Sequence, residues 1–268
     1  MMSNNKQTQV QEVFPILGAA AAAGVLIPLA INIAALFAAF EFYVRKTKED
    51  KKLSKKLNSI LKDGKNWKVM IVPDKLPNAF AMHKPYVFLS TGLIQMMNER
   101  EIEATMVHEA GHVSNKDIWR DIIVQHSLIA ILFTAAAVLG NAALGALLFI
   151  WFSFSGPEMI LQSVLMRTMG RAEENKADSN AAKYGYAEDL ANALKKLEII
   201  HKRHMQKHCT TFICKTRTKI EEMFSEHPPL KQRVENIMKA KETWAKKNKS
   251  FVQYRNFFQK KLGVKKEG

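Results

Sequence analysis

Charged residues are absent from two long stretches of the chain. Residues 13–40 and 122–154 contain no Asp, Glu, Lys or Arg. Each stretch exceeds the roughly 20 apolar residues that span a bilayer. A deeply buried helix of a large soluble domain is the alternative, but the remaining polar sequence is too short to surround two such helices. The pattern therefore predicts membrane-spanning segments.

The first uncharged stretch is predicted to be an uncleaved membrane anchor. It is longer than the apolar core of a signal peptide, and Lys6 is the one basic residue before it. Basic clusters next to a membrane segment stay on the cytoplasmic side. Such a cluster follows the stretch: Arg45, Lys46, Lys48, Lys51, Lys52, Lys55 and Lys56. We therefore expect the polar part of the protein to face the cytoplasm.

The polar sequence between the two stretches alternates in a way typical of a helix followed by a small sheet. The predicted elements are an amphipathic helix over 49–62 and strands over 68–73, 78–82 and 86–90. A turn over 63–65 ends the helix. The last two strands flank the turn His83–Pro85, which predicts an antiparallel hairpin.

Further helices are indicated by capping residues and by periodic leucines. Asn98 followed by Glu101 is typical of a capping box, so a helix is predicted from Glu101 to about Trp119. Residues 171–184 have helical character, and Gly185 is a natural stop. A last amphipathic helix is predicted from the spacing of Leu190, Leu194, Leu197 and Ile200.

The predicted capped helix carries the motif H-E-x-x-H as His108-Glu109-Ala110-Gly111-His112. Residues four apart share a helix face, so both imidazoles can bind one ion, while Glu109 can take a proton from water at that ion. By chance, the motif occurs in about one in a hundred chains of this length. In such a chain it would mark two histidines on a polar helix face and no metal site. The small residues Ala110 and Gly111 would let a neighbouring backbone come close.

A catalytic zinc needs a third protein ligand. Glu174 is the candidate, because Asp178 lies one turn further on the same helix face and can accept a hydrogen bond from a ligand histidine. Glu173 is the adjacent competitor, although it would face away from Asp178. Alone, this segment would indicate an exposed acidic helix start.

Together these motifs resemble the HtpX-type membrane zinc metallopeptidases and the related CAAX prenyl endopeptidases. The resemblance covers about residues 65 to 240. It rests on four elements in the family's order: Asn78-Ala79-Phe80, His108–His112, Glu174–Asp178 and the His-Pro element His227-Pro228 with Arg233. The family usually has two N-terminal spans, whereas this sequence shows one long stretch.

The resemblance implies a mainly α-helical, gluzincin-like zinc metallopeptidase domain with a small antiparallel β-sheet and transmembrane helices. It implies one Zn²⁺ ion per chain, held by His108, His112 and Glu174, with Asp178 behind them. Glu109 is then the general base. His227 and Arg233 would stabilise the oxyanion, and the strand at Asn78, Ala79 and Phe80 would bind substrate.

The expected organisation is an anchor over 1–44, a catalytic domain over 45–121 and 167–240, a membrane helical hairpin over 122–166 and a basic tail over 241–268. About three membrane helices are expected. Because His112 and Glu174 must reach the same ion, the chain between them must cross the bilayer an even number of times.

A formal net charge of +15 favours anionic lipid headgroups as partners over nucleic acid, since no interleaved aromatic motif accompanies it. The resemblance implies a role in membrane-protein quality control, expected at the plasma or inner membrane and on unfolded or membrane polypeptides. The alternatives are a CAAX-type processing protease and an idle membrane scaffold with a structural metal. A second metal site near Cys209 and Cys214 is less favoured than histidines on a basic surface helix.

Overall fold

A computed structural model describes residues 26–138 except Pro28, together with 156–208 and 229–262. In chain order the elements are α1 (29–46), β1 (Lys48–Glu49), α2 (Lys51–Leu61), β2 (Lys68–Val72), β3 (Ala79–Ala81), β4 (Tyr86–Ser90), α3 (Thr91–Met96), α4 (Glu99–Asn115), α5 (Asp117–Val138), α6 (Gly156–Lys183), α7 (Ala187–His208) and α8 (Leu230–Leu262).

These residues fall into two compact units. The described part of the first comprises 26–46, 116–138 and 156–169, and that of the second comprises 47–115, 170–208 and 229–262. The predicted domain boundaries stay predictions.

The described part of the first unit is helical, and a polar contact joins two of its helices that are distant in sequence. Asn32 Nδ2 lies 3.4 Å from Nε2 of His126, a buried side chain whose Nδ1 lies 2.7 Å from the carbonyl oxygen of Ile122. No helix within the described ranges has the length and hydrophobicity needed to cross a membrane. Residues 13–25 and 139–154 of the two uncharged stretches lie outside those ranges.

The second unit contains a mixed four-stranded sheet in the order β1-β2-β4-β3. The predicted hairpin is confirmed, because β3 and β4 are antiparallel with Phe80 opposite Phe88. The prediction of an antiparallel sheet is wrong, because the sheet is mixed. β4 lies between β2 and β3 and runs parallel to β2, with Met70 opposite Phe88. The two-residue strand β1 was not predicted, because two charged residues carry no strand periodicity.

The core of this unit lies between one face of the sheet and the helices. Val69, Val87 and Leu89 project from alternate positions of β2 and β4, and they join Met106 and Val107 of α4 in one buried cluster. Leu57 and Leu61 of α2 and Leu190 of α7 belong to the same cluster. The sheet therefore supports α4, the helix that carries the H-E-x-x-H motif.

The start of α4 agrees with the predicted capping box. The Glu101 amide donates to Asn98 Oδ1 over 2.9 Å, and the Asn98 amide donates to Glu101 Oε2 over 2.9 Å. The predicted end near Trp119 is wrong. The helix ends at Asn115, because Lys116 has a φ of +59°, in the left-handed region, and α5 begins at Asp117.

The predicted stop at Gly185 is confirmed, because α6 ends at Lys183, two residues earlier. Gly185 has a φ of +84°, a value that favours glycine. Its amide donates to the Ala182 carbonyl over 3.1 Å, and the Tyr186 amide donates to the Ala181 carbonyl over 3.0 Å. This pair of bonds is a Schellman motif. It reverses the chain into α7, whose Leu190 face packs on the core as predicted.

Candidate metal centre

Three side chains from two helices converge on one point. His108 and His112 come from α4, and Glu174 comes from α6. The two Nε2 atoms lie 3.3 Å apart. Glu174 Oε2 lies 3.4 Å from His108 Nε2, and Glu174 Oε1 lies 3.7 Å from His112 Nε2. Within the described residues, these three form the group able to hold a metal ion.

Two of the three separations, 3.3 and 3.4 Å, fit a tetrahedral zinc, and the third, 3.7 Å, is slightly longer. With ligand bonds of about 2.0–2.2 Å, neighbouring donor atoms of a tetrahedron lie about 3.3–3.6 Å apart. Two imidazoles and one carboxylate are also a donor set that catalytic zinc uses, with the fourth position left for water or substrate. His112 is the most exposed of the three side chains, at 22% against 7% for Glu174, so solvent reaches the site from its side.

The close approach of the two helices depends on Gly111. A Cβ atom at this position would lie 3.1 Å from Ala177 Cα and 3.3 Å from Ala177 Cβ. Asn180 Nδ2 also donates to the Val107 carbonyl oxygen over 3.5 Å. As the sequence predicted, glycine between the two histidines lets a neighbouring backbone come close, which brings Glu174 to the histidines.

Gly111→Ala is therefore expected to destabilise the protein. The added methyl group must push two backbones apart, and such overpacking typically costs about 1–3 kcal/mol. We expect a lower apparent Tm and weaker zinc binding, measured by thermal unfolding and by competition with a chromogenic chelator. Ser114→Ala, at an exposed position of the same helix, is the matched control and should change neither.

Asp178 lies behind His108. Its Oδ1 is 3.1 Å from His108 Nδ1, and the side chain of Asp178 is 1% exposed. An imidazole that donates Nδ1–H to a carboxylate keeps its Nε2 lone pair for a metal. The structure thus brings the Asp178 carboxylate to His108, and the role predicted for Asp178 behind a metal-bound histidine stays a prediction. Glu173 is also buried, but it is not one of the three converging donors.

Arg233, at the start of α8, binds both acidic residues. Its Nε donates to Asp178 Oδ2 over 3.0 Å, and its Nη2 donates to Asp178 Oδ1 over 2.7 Å. The same Nη2 lies 2.8 Å from Glu174 Oε2. Arg233 is 8% exposed, so these ion pairs are buried. Sequence reasoning did not foresee this pairing, and the predicted contact of Arg233 with an oxyanion stays a prediction.

The electrostatics of the cluster favour a cation. Burial lowers the pKa of His108, but hydrogen bonds to Asp178 and Glu174 outweigh it and raise the pKa to about 10. Burial raises the pKa of Asp178, but hydrogen bonds from His108 and Arg233 outweigh it and lower the pKa. Two carboxylates against one guanidinium leave a negative charge, which a proton on His108 or a bound cation compensates.

Zinc binding to the metal-free protein is expected to release about one proton per chain at pH 7, because His108 is protonated there and a ligand imidazole must be neutral. Apparent affinity should then rise with pH up to the pKa of about 10. Titration calorimetry in buffers of different ionisation enthalpy measures the release. Asp178→Asn should reduce the number of protons released. An unchanged proton release in this variant would contradict the assignment of the released proton to His108.

The remaining predicted site residues lie on α4, in or next to β3, or outside the described ranges. Glu109 is half-buried beside His108. Burial lowers the pKa of Arg233, but its hydrogen bonds to Asp178 outweigh burial and raise the pKa, and the charge of Glu109 adds a smaller contribution to that rise. Asn78 is exposed and immediately precedes β3, and Ala79 and Phe80 lie in that strand, which contacts α4. His227 lies outside the described residues, as do both cysteines.

The chain is similar in sequence to known proteases. Residues 47–241 match Peptidase family M48. A protease HtpX homolog of Desulforapulum autotrophicum is 27% identical over 212 residues, 70% of this chain and 68% of that protein. A protease HtpX homolog of Desulfatibacillum aliphaticivorans is 30% identical over 202 residues, 65% of this chain and 63% of that protein. The chain thus spans about two thirds of the length of these relatives.

A crystal structure of S. mikatae Ste24p superposes with a TM-score of 0.52 at 16% identity, over 85% of this chain and 66% of that one. At this identity the likeness concerns the fold alone. The family match covers most of the chain and includes both helices that supply the converging donors. The chain belongs to peptidase family M48, as an HtpX-type member.

Proposed function

We propose that this protein is a zinc-dependent endopeptidase that hydrolyses peptide bonds with Glu109 as general base. The observation that carries the proposal is the convergence of His108, His112 and Glu174 at zinc-like separations, with Glu109 beside His108 on the same helix. When bound, zinc would act as a Lewis acid and lower the pKa of a water molecule at the ion towards neutrality.

Each residue of the chain then has a defined task. Glu109 takes the proton of the attacking water and delivers it to the leaving amine. Asp178 holds the His108 ring, and Arg233 holds Asp178 and Glu174 in place. His227 and Arg233 are proposed to stabilise the oxyanion, because N–H donors aimed at the developing charge lower the barrier to hydrolysis.

The proposed substrate is an extended polypeptide that pairs with the open edge of β3. The Ser90 amide donates to the Asn78 carbonyl over 2.9 Å, so the backbone groups of Asn78 point towards β4. Backbone groups alternate in direction along a strand, so those of Ala79 and Ala81 point towards the open edge. A peptide can bind there by β-strand addition.

Ala79→Pro is expected to impair cleavage of peptides without affecting metal content, since it removes an outward N–H that substrate would accept from. Ala79→Val is the matched control, because it keeps the amide donor. We expect kcat/KM to fall about tenfold or more for the proline variant, the value of one or two lost hydrogen bonds. Equal activity of the two variants would argue against strand addition.

Membrane-protein quality control is proposed as the setting. The uncharged stretches 13–40 and 122–154 support a multi-pass protein of the plasma or inner membrane. The basic cluster after the first stretch supports a catalytic domain that faces the cytoplasm and contacts anionic lipids. Retention in the membrane fraction after alkaline carbonate extraction tests this setting, and release into the supernatant would contradict it.

Metal removal tests the proposed reaction. The detergent-purified chain is expected to cleave an unfolded reporter protein, to lose this activity in a zinc chelator and to regain it with one equivalent of zinc. The donor geometry predicts the loss, because His108, His112 and Glu174 hold one ion. Cleavage that persists in the chelator, with no zinc left on the protein, would contradict the proposal.

A further inference from the structure

Ser90 joins two elements that flank the proposed substrate edge. It is the last residue of β4 and the N-cap of α3, and it is 2% exposed. Its Oγ accepts a hydrogen bond from the Leu93 amide over 3.1 Å, which is the ordinary N-cap bond. The same Oγ accepts a second bond, from the Asn78 amide over 2.8 Å.

This second bond completes the last pair of the β3–β4 ladder. In an antiparallel hydrogen-bonded pair, each residue donates its N–H to the other's carbonyl oxygen. The Ser90 amide donates to the Asn78 carbonyl over 2.9 Å, but the Asn78 amide donates to the hydroxyl of Ser90. Both backbone groups of Asn78 are therefore held by Ser90, while its side chain stays exposed.

The loop that leads into Asn78 is held against the same end of α3. The Asp74 carbonyl accepts from the Gly92 amide over 2.9 Å and from Thr91 Oγ1 over 2.6 Å. A Cβ atom at Gly92 would lie 2.1 Å from the Lys75 carbonyl oxygen. No side chain fits between the loop and α3, so the position of the loop is fixed by direct backbone contact.

We infer that Ser90 is a positioning residue for substrate, whose hydroxyl fixes Asn78 and thereby the open edge at Ala79 and Ala81. The inference rests on the proposed function. The hydrogen bonds of Ser90 join it to Asn78 and Leu93, neither of which is among the metal-binding residues. It acts through Asn78, the first residue of the segment that the extended peptide would pair with.

Removing the hydroxyl should weaken substrate binding more than turnover. In Ser90→Ala the Asn78 amide loses its acceptor, so the edge no longer holds one position and peptide docks less often. The metal-binding residues on α4 and α6 keep their contacts. We expect KM to rise about tenfold with kcat within about threefold of wild type, the signature of lost binding that is equal in ground and transition states.

Steady-state kinetics on the detergent-purified full chain test this expectation, with zinc content measured on every sample. Ser90→Thr keeps the hydroxyl and should restore KM to within about threefold. A fall in kcat with KM unchanged, or a Ser90→Thr variant with the same KM as Ser90→Ala, would overturn the inference.

Amide hydrogen exchange separates this inference from the proposed function, because it needs no activity. In Ser90→Ala, peptides covering 74–81 should exchange at least about tenfold faster, while peptides covering 99–115 exchange as in wild type. Gly92→Ala, which displaces the loop from the other side, should speed exchange in the same peptides. Unchanged exchange over 74–81 in Ser90→Ala would overturn the inference even if the wild-type protein cleaves its substrate. Faster exchange in Ser90→Ala, together with a wild-type protein that cleaves no substrate, would overturn the proposed function alone.

Discussion

Glu109→Gln is expected to reduce peptide hydrolysis by about 10²–10⁴-fold while one zinc remains bound, the range that general acid–base catalysis contributes. Glutamine keeps the size of the side chain but cannot accept a proton from water. The metal-binding donors belong to other residues, so zinc content should not change. Steady-state cleavage of an unfolded reporter, with metal analysis of the same samples, measures both quantities.

The matched control is Glu99→Gln, which neutralises an exposed carboxylate near the start of the same helix and should leave turnover within about twofold. A Glu109→Gln protein that retains more than about a tenth of wild-type turnover would rule out Glu109 as the base. Zinc bound equally well in an inactive wild-type protein would favour the idle scaffold with a structural metal.

Arg233→Met is expected to produce the largest loss of stability. It removes the guanidinium that binds Asp178 and Glu174 and leaves two carboxylates buried without it. Breaking a buried ion pair by removing one partner typically costs about 3–5 kcal/mol. Zinc should recover part of this loss, because a divalent cation compensates the same negative charge. Thermal unfolding of the metal-free and zinc-loaded proteins measures both effects.

Lys231→Met is the control for Arg233→Met. It removes one positive charge from an exposed position two residues earlier, and its Tm should stay close to that of wild type. If Arg233→Met were as stable as this control without zinc, the buried ion pairs would not hold the two acidic residues in place. The proposed role of Arg233 in orienting the metal-binding carboxylate would then be wrong.

Features encoded by neighbouring residues were predictable from the sequence. The capping box of Asn98 and Glu101 and the Schellman motif at Gly185 each lie within one helical turn, so residue type and spacing determine them. The pair His108 and His112 shares a helix face for the same reason. The end of α4 was missed because Lys116 adopts a left-handed conformation that lysine does not favour.

Features that depend on contacts between distant segments were not predictable. The position of β4 between β2 and β3 makes the sheet mixed, and no local pattern encodes strand order. The ion pairs of Arg233 join it to Asp178 and Glu174, 55 and 59 positions earlier in sequence. Ser90 was missed although Ser-Thr-Gly is a recognisable helix start, because its second hydrogen bond reaches back to Asn78, 12 positions earlier.

The central claim is that His108, His112 and Glu174 hold one zinc ion. Metal analysis combined with zinc K-edge absorption of the purified full chain tests it most directly, alongside the Glu174→Gln variant. We expect about one zinc per chain, bound by two imidazoles and oxygen donors at about 2.0–2.2 Å, and a large loss of zinc in the variant. Absence of stoichiometric zinc in wild type, or full zinc binding by the variant, would contradict the claim.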